Sequence, residues 1–392
     1  MPDAPARPAR RRRTATTLAH GGSNPAAFHG FVNPPVVHAS TVLFPDVEAT
    51  RTRTQRYTYG RRGTPTTDAL CDIVSALEGA EQTVLCPSGL AACTLPLAAV
   101  VSAGDRVLVT DNVYSPTRRF CEGFLKRFGV STTYFDPMDV AAFEAELEGG
   151  AAAVFLEAPG SLTFEVPDVP ALARAAKAAG ATVLLDNTWA TPLYFRPLEH
   201  GVDLSIQAAT KYFSGHSDLL LGTVSGNGEA IAKVRQTWDD WGENVGPDDV
   251  FMVLRGIRTL EVRLERHGRN ALILAERLAA DPRVHRVLHP ALPGSPGHEN
   301  FRRDFDGATG LFAITFRGKP EAEVITFVDS LELFGIGYSW GGYESLVTLQ
   351  PVHATRTATP WPHDEFCVRL QIGLEDPEDL WEDLSRALER IG

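Results

Sequence analysis

Two residues of this 392-residue chain, Asp186 and Lys211, have side chains and positions suited to joint chemistry. Asp186 follows the apolar run 183–185 and Lys211 follows the strand-like run 204–210, so each is predicted to lie at the end of a buried strand. In open α/β sheets, ligands bind at the carboxyl ends of strands, so both side chains are expected to face one crevice. A lysine that can form an imine and an acid that can keep a pyridine nitrogen protonated suit pyridoxal phosphate (PLP).

The lysine content of the chain favours Lys211 as the imine-forming residue. It is the one lysine that follows an apolar strand and enters a loop with Gly and Ser. The other four are predicted to lie in helices or in a turn: Lys126, Lys177, Lys233 and Lys319. From residue type alone, an ordinary surface or ion-paired lysine is the alternative.

The composition is that of a globular protein, with 44% hydrophobic and 22% charged residues. A net charge of −12 argues against nucleic acid or an anionic membrane as the main partner, and no apolar run is long enough to span a bilayer. The five cysteines include no CxxC pair, which is typical of reduced thiols in a cytoplasmic protein, and their spacing indicates no metal site.

Three further segments carry residues that can bind an anion or a flat ring. Tyr59 and Arg61 lie just before a predicted helix, where a phenol and a guanidinium could hold a phosphate. Gly89 and Leu90 open a helix after a strand, so their amides are predicted to face an anion. Tyr114 lies just past another strand and could stack on a cofactor ring or cap the sheet edge.

Strands and helices alternate through the first two thirds of the chain, which predicts βαβ units and a mainly parallel sheet. We expect an N-terminal arm at 1–57, with 1–13 as a disordered tail, a large domain at 58–250 and a smaller α+β domain at 251–392.

Three local features are also predicted. Residues 14–56 should be extended and should need another surface to lie on, because no helical period persists there. Thr67 should cap the helix that ends near Gly79, and 250–279 should form one long helix.

Seven ordered sequence blocks resemble the PLP-dependent enzymes of the Cys/Met metabolism group, which have fold type I. The likeness runs from about Thr16 to the C-terminus. The blocks are TYGRRGTPT (58–66), PSGLAA (87–92), DNTWA (186–190), SIQAATKYFSGHSD (205–218), HPALPGSPGHE (289–299), YSWGGYES (338–345) and RLQIGLED (369–376).

The resemblance implies a role for each site residue. Lys211 would bind the cofactor as an imine, Asp186 would pair with its pyridine nitrogen, and Tyr114 would stack on its ring or deprotonate the incoming amine. The Gly89 and Leu90 amides and the Thr210 hydroxyl would bind its phosphate. Tyr59 and Arg61 would reach the phosphate of a neighbouring subunit, in a homodimer or a dimer of dimers. Arg369 would hold the substrate carboxylate, helped by Ser339 and Trp340.

Two departures from the family pattern bear on the activity. Ala208 stands where many relatives have a serine, which implies one phosphate donor fewer. The ESPTNP-type motif of the γ-acting relatives is replaced by EAPGSLTFEV (157–166), as in the β-lyases. The resemblance therefore implies a carbon–sulfur β-lyase that cleaves L-cystathionine to homocysteine, pyruvate and ammonia in methionine biosynthesis. The alternatives are a γ-synthase, a γ-lyase, a general cysteine-conjugate β-lyase, or a PLP-binding regulatory protein.

Overall fold

A computed structural model of the chain describes residues 13–391. The tail expected at 1–13 therefore lies outside the described residues, except for Arg13. Within 13–391 the strands are β1 Gln82–Cys86, β2 Arg106–Thr110, β3 Ser131–Phe135, β4 Ala153–Glu157, β5 Thr182–Asp186, β6 Leu204–Gln207, β7 Gly222–Gly226, β8 Arg286–Leu288, β9 Leu311–Arg317, β10 Gly335–Ile336, β11 Leu346–Gln350 and β12 Glu365–Gln371.

The α-helices of the same described part are α1 Thr14–His20, α2 Val47–Thr52, α3 Pro65–Glu78, α4 Gly89–Val100, α5 Ser115–Phe120, α6 Val140–Leu147, α7 Val169–Ala178, α8 Thr191–Tyr194, α9 Gly228–Trp241, α10 Pro247–Ile257, α11 Leu260–Ala279, α12 His298–Asp304, α13 Glu321–Asp329 and α14 Pro377–Leu388. None of them has both the length and the apolar composition needed to cross a membrane.

The larger sheet has the strand order β1-β7-β6-β5-β4-β2-β3. Its central pairs β6–β5, β5–β4, β4–β2 and β2–β3 are parallel, whereas β7 is antiparallel to both of its neighbours. This confirms the predicted mainly parallel sheet. The central strands are apolar and buried because α4 covers one face and α7 covers the other. Their carboxyl ends therefore open onto one edge of the sheet.

The second sheet, of order β10-β11-β12-β9-β8, lies wholly within 286–371 and packs on α11, α13 and α14. We propose that the chain divides into two domains at about residue 250, preceded by an arm at 1–57. The strands of the larger sheet all precede residue 250 in the sequence, and those of the second sheet all follow it. Residue 250 itself lies within α10.

The prediction of a single helix at 250–279 is wrong, because α10 ends at Ile257 and α11 begins at Leu260. The guanidinium of Arg263 donates through Nη2 to the carbonyl oxygen of Gly256, at 2.8 Å, and through Nε to the hydroxyl of Thr259, at 3.2 Å. A side chain of α11 therefore satisfies a terminal carbonyl of α10 that a continuous helix would have bonded internally.

Two predictions about the N-terminal third are also corrected. Residues 14–56 are not wholly extended, because α1 docks through the buried Leu18 and Arg258 donates to the Leu18 carbonyl at 2.6 Å. A helix of 7 residues is too short to give a sequence period. The N-cap of α3 is Thr64, while Thr67 lies at the third helical position and completes a capping box. Gly79 is confirmed as the end of α3.

Candidate active site

A cavity of about 550 Å³ opens at the carboxyl ends of β4 and β5, between the two sheets. It is lined by eight of the residues predicted from the sequence: Gly89, Leu90, Tyr114, Asp186, Thr210, Lys211, Trp340 and Arg369. Ser339, which was also predicted, does not line the cavity but bonds to a residue that does: the Lys211 Nζ donates to the Ser339 Oγ at 2.9 Å. The cavity therefore joins residues from the large sheet, α4 and the second sheet.

Lys211 lies in the turn that follows β6, with its amine 5.4 Å from the centre of the Trp340 ring. Burial, together with the positive charge of Arg369, lowers the pKa of Lys211 to about 8, against an opposing effect of Asp186. The amine is thus easier to deprotonate than that of an exposed lysine. Of the other lysines, Lys177 pairs with Asp203 and Lys233 pairs with Glu229.

Asp186 ends β5 as a buried carboxylate held by three donors. The Thr188 amide and hydroxyl donate to Oδ1 at 3.0 and 2.5 Å, and the Cys93 thiol donates to Oδ2 at 3.5 Å. Burial raises the pKa of Asp186, while the Thr188 and Cys93 donors and the charge of Lys211 oppose that rise. The donors thus favour the ionised form of a carboxylate that burial alone would protonate.

The start of α4 and the loop after β6, which carries Ala208 and Lys211, approach each other closely at one wall of the cavity. A Cβ at Gly89 would lie 2.5 Å from the Cβ of Ala208, so this approach requires glycine. The first amides of a helix have no intrahelical acceptor, and those of Gly89 and Leu90 are available to an anion. The hydroxyl of Thr210 is already engaged, since it donates to the Leu221 carbonyl at 3.2 Å and accepts from its amide at 3.0 Å.

Arg369 is a buried cation on β12 at the far wall of the cavity. Its Nη2 donates to the carbonyl oxygens of Tyr338 and Ser339, at 2.8 and 3.3 Å, which fixes the guanidinium. Burial lowers its pKa to about 10, so it remains charged at neutral pH. A fixed guanidinium beside an amine and a flat-ring site can hold a carboxylate through two parallel hydrogen bonds.

Tyr59 and Arg61 do not line this cavity. Arg61 lies over the ring of Trp238, 5.3 Å from its centre, and 3.5 Å from Asp239, with Nη1 buried and lacking a hydrogen-bond partner. Tyr59 is 49% exposed. The structure therefore gathers the remaining predicted residues at one site of the chain and leaves these two apart from it.

The sequence reasoning missed several cavity residues, of which three have side chains that hydrogen-bond to a predicted site residue: Glu157, Thr188 and Cys93. Glu157 carries the signal that identified Asp186, an acid at the end of an apolar strand. Thr188 follows Asp186 by two residues, a spacing at which a hydroxyl can bond back to the acid. Cys93 has no comparable signal, because one turn inside a helix it reads as a small buried residue.

Comparisons with known proteins agree with this geometry. The family model of Cys/Met metabolism PLP-dependent enzymes matches residues 15–389. A protein named putative cystathionine beta-lyase from Rhizobium johnstonii is 52% identical over 95% of this chain and 94% of its own length. The cystathionine beta-lyase MetC of Escherichia coli is 41% identical over 97% of this chain and 99% of its own length.

A solved structure has the same fold. Cystathionine gamma synthase from Xanthomonas oryzae pv. oryzae, in complex with aminoacrylate and cysteine, superposes with a TM-score of 0.90 at 31% identity. The match covers 97% of this chain and 98% of that one.

Proposed function

Because the chain belongs to the Cys/Met metabolism family of PLP-dependent enzymes, we propose that it is a β-lyase that cleaves L-cystathionine to homocysteine, pyruvate and ammonia. The observation that carries this proposal is one cavity that holds the Lys211 amine, the buried Asp186 carboxylate and the fixed Arg369 guanidinium. The choice of β-cleavage is supported by relatives that are named cystathionine beta-lyase and are 37–52% identical over nearly the whole chain.

The residues of the cavity fit PLP. Lys211 offers an amine of lowered pKa to the aldehyde, and Asp186 offers a carboxylate to the pyridine nitrogen. The amides of Gly89 and Leu90 offer donors to the phosphate, and Thr210 can join them by giving up its bond to the Leu221 carbonyl. Tyr114 offers a ring face at the cavity wall. When bound, PLP supplies an electron sink for the charge that develops at the substrate Cα.

The protein's own groups would then bind the substrate and move its protons. Arg369 binds the α-carboxylate and so orients the Cα–H bond towards Lys211. The Lys211 Nζ, held by the Ser339 hydroxyl, takes the Cα proton and returns a proton to the leaving sulfur. Burial raises the pKa of Tyr114, which favours its stacking role over a role as base towards the incoming amine. Trp340 lines the cavity beside Lys211, where its ring would limit the room for the substrate.

We propose that the enzyme acts as a homodimer or a dimer of dimers in the cytoplasm. Tyr59 and Arg61 lie away from the cavity of their own chain, and the guanidinium of Arg61 has an unused nitrogen. Phe31 and Leu43 of the arm are 72% and 86% exposed, which supports docking of the arm on another copy. Tyr59 and Arg61 would then reach the cofactor phosphate of the neighbouring subunit.

A γ-synthase is the second candidate, because the cystathionine gamma synthase of Xanthomonas has the same fold. The sequence at Pro159–Ser161 argues against it, since the asparagine of the γ-acting motif is absent.

The test of the proposed function is release of homocysteine from L-cystathionine by the purified protein. Lys211→Ala should abolish both thiol release and the visible absorbance of the bound cofactor. Lys177→Ala is the matched control, because Lys177 lies on the surface and pairs with Asp203. Thiol release that survives in Lys211→Ala would refute the assigned role.

A further inference from the structure

Glu157 is a second acid at the floor of the cavity, beside Asp186. It ends β4 as Asp186 ends β5, and the two residues are partners in the parallel register of these strands. Neighbouring strands lie about 4.8 Å apart and paired residues point to the same face, so the two carboxyl groups are close together. Both line the cavity.

The contacts of Glu157 lead to Tyr114. Its Oε2 accepts a hydrogen bond from the Tyr114 amide at 2.6 Å. Tyr114 is the residue before α5 and makes no side-chain capping bond there. The hydrogen bond from the Tyr114 amide to Glu157 therefore ties the backbone that carries the Tyr114 ring to the sheet.

The two acids differ in the support for a negative charge. Within residues 13–391, Asp186 accepts from three donors, whereas Glu157 accepts from the Tyr114 amide alone. Two adjacent carboxylates in a buried site disfavour double ionisation. Burial and the charge of Asp186 raise the pKa of Glu157 well above its ordinary value. The titratable or charged groups that act on this pair come from several elements: Cys93, Tyr114, Glu165, Lys211 and Arg356.

We propose that Glu157 is a positioning residue that acts as a neutral acid. It anchors the backbone of Tyr114 and leaves Asp186 as the single anion at the floor of the cavity. The inference deepens the proposed function and rests on PLP binding in this cavity. Its consequence is that the charge available to the pyridine nitrogen and the placement of the Tyr114 ring would both depend on the Glu157 side chain.

Glu157→Gln tests the neutral state, because glutamine has the same shape, no charge and an oxygen that can still accept from Tyr114. The measurement is a pH titration of the visible absorbance of the cofactor in the holoenzyme. We expect the midpoint to stay within half a pH unit of the wild-type value. If Glu157 were ionised, the substitution would remove a negative charge from the site. For a separation of about 5 Å from the titrating nitrogen of the bound cofactor and an effective dielectric constant of about 20, the midpoint would then fall by about two pH units. A downward shift of one unit or more would overturn the inference.

Glu157→Leu tests the anchoring role, because leucine removes the acceptor of the Tyr114 amide. We expect the dissociation constant of the cofactor to rise by about three- to tenfold, the usual effect of one lost hydrogen bond. The visible circular dichroism of the bound cofactor should become weaker. Glu157→Gln should stay within twofold of wild type. Equal behaviour of the two folded variants would overturn the anchoring role, and if Glu157→Leu does not fold, the titration of Glu157→Gln decides the inference. A wild-type protein that shows no cofactor band would instead overturn the proposed function.

Discussion

Thr188→Val should remove one of the hydrogen bonds that stabilise the Asp186 carboxylate without changing the shape of the site. The Thr188 hydroxyl donates to Asp186 Oδ1 at 2.5 Å and accepts from the Ala208 amide at 2.8 Å. It therefore joins the end of β5 to the loop that carries Lys211. Valine keeps the volume and the backbone amide donor but removes both hydroxyl bonds.

The size of the effect follows from the charge on Asp186. A hydrogen bond to a charged group contributes about 1.5–3 kcal/mol, which corresponds to roughly one to two pKa units. The hydroxyl donor lowers the pKa of Asp186 against the effect of burial, so its loss raises that pKa further. Since the ionised carboxylate is the form that pairs with a protonated pyridine nitrogen, the acidic limb of kcat/KM should move to higher pH by about one to two units.

The assay is the pH profile of kcat/KM for Thr188→Val beside Thr188→Ser, which keeps the hydroxyl. Thr188→Ser should retain the wild-type acidic limb. The reasoning is refuted if the two variants share one profile, or if the limb of Thr188→Val moves to lower pH.

Three further predictions concern stability, assembly and the substrate cleft. Glu78 is buried, accepts from Gln207 at 3.0 Å, and has its pKa raised by burial to about 7 from 4.5. The fold therefore loses stability progressively as the pH rises from 4.5 to 7, because Glu78 ionises more readily in the unfolded chain. Glu78→Gln should raise the free energy of unfolding by up to roughly 3 kcal/mol at pH 8 and by little near pH 4.5. An equal gain at both pH values in denaturant titrations would contradict this. Mixing inactive Arg61→Ala with inactive Lys211→Ala should restore activity in hybrid dimers, and no recovery after proven subunit exchange would argue against a shared site. Trp340→Ala should lower kcat/KM for cystathionine at least tenfold, about 1.4 kcal/mol, with native far-UV circular dichroism as the control for folding, and a smaller loss would show that Trp340 does not orient the substrate.

The central pair of the site could be predicted from local sequence because strand ends have a simple signature. Asp186 and Lys211 each follow an apolar strand, and the parallel sheet brings these strand ends to one edge. Glu157 has the same signature, so the rule applied to every strand would have found it. The pairing of Arg369 with this edge depends on how the second sheet packs on the first, which no local pattern encodes; its role came from family resemblance.

Other features escaped prediction because tertiary contacts override local preference. Thr64 and Thr67 are both capable caps, and Pro65 at the first helical position decides in favour of Thr64. At the break between α10 and α11, the carbonyl of Gly256 accepts from the Thr259 amide and from the Arg263 guanidinium, contacts that no local sequence pattern indicates. The phosphate-binding role proposed for Tyr59 and Arg61 involves a neighbouring subunit, so the contacts within one chain do not test it.

The identity of the keto acid released from L-cystathionine tests the central claim most directly. β-Elimination removes one proton at Cα and gives pyruvate, whereas γ-elimination must also remove a Cβ proton and gives 2-oxobutyrate. The absence of the γ-motif asparagine at Pro159–Ser161 and the position of the Trp340 ring beside Lys211 favour the first route. The wild-type enzyme should release pyruvate with almost no 2-oxobutyrate, and 2-oxobutyrate as the main product would contradict the β-lyase and make this chain a γ-lyase.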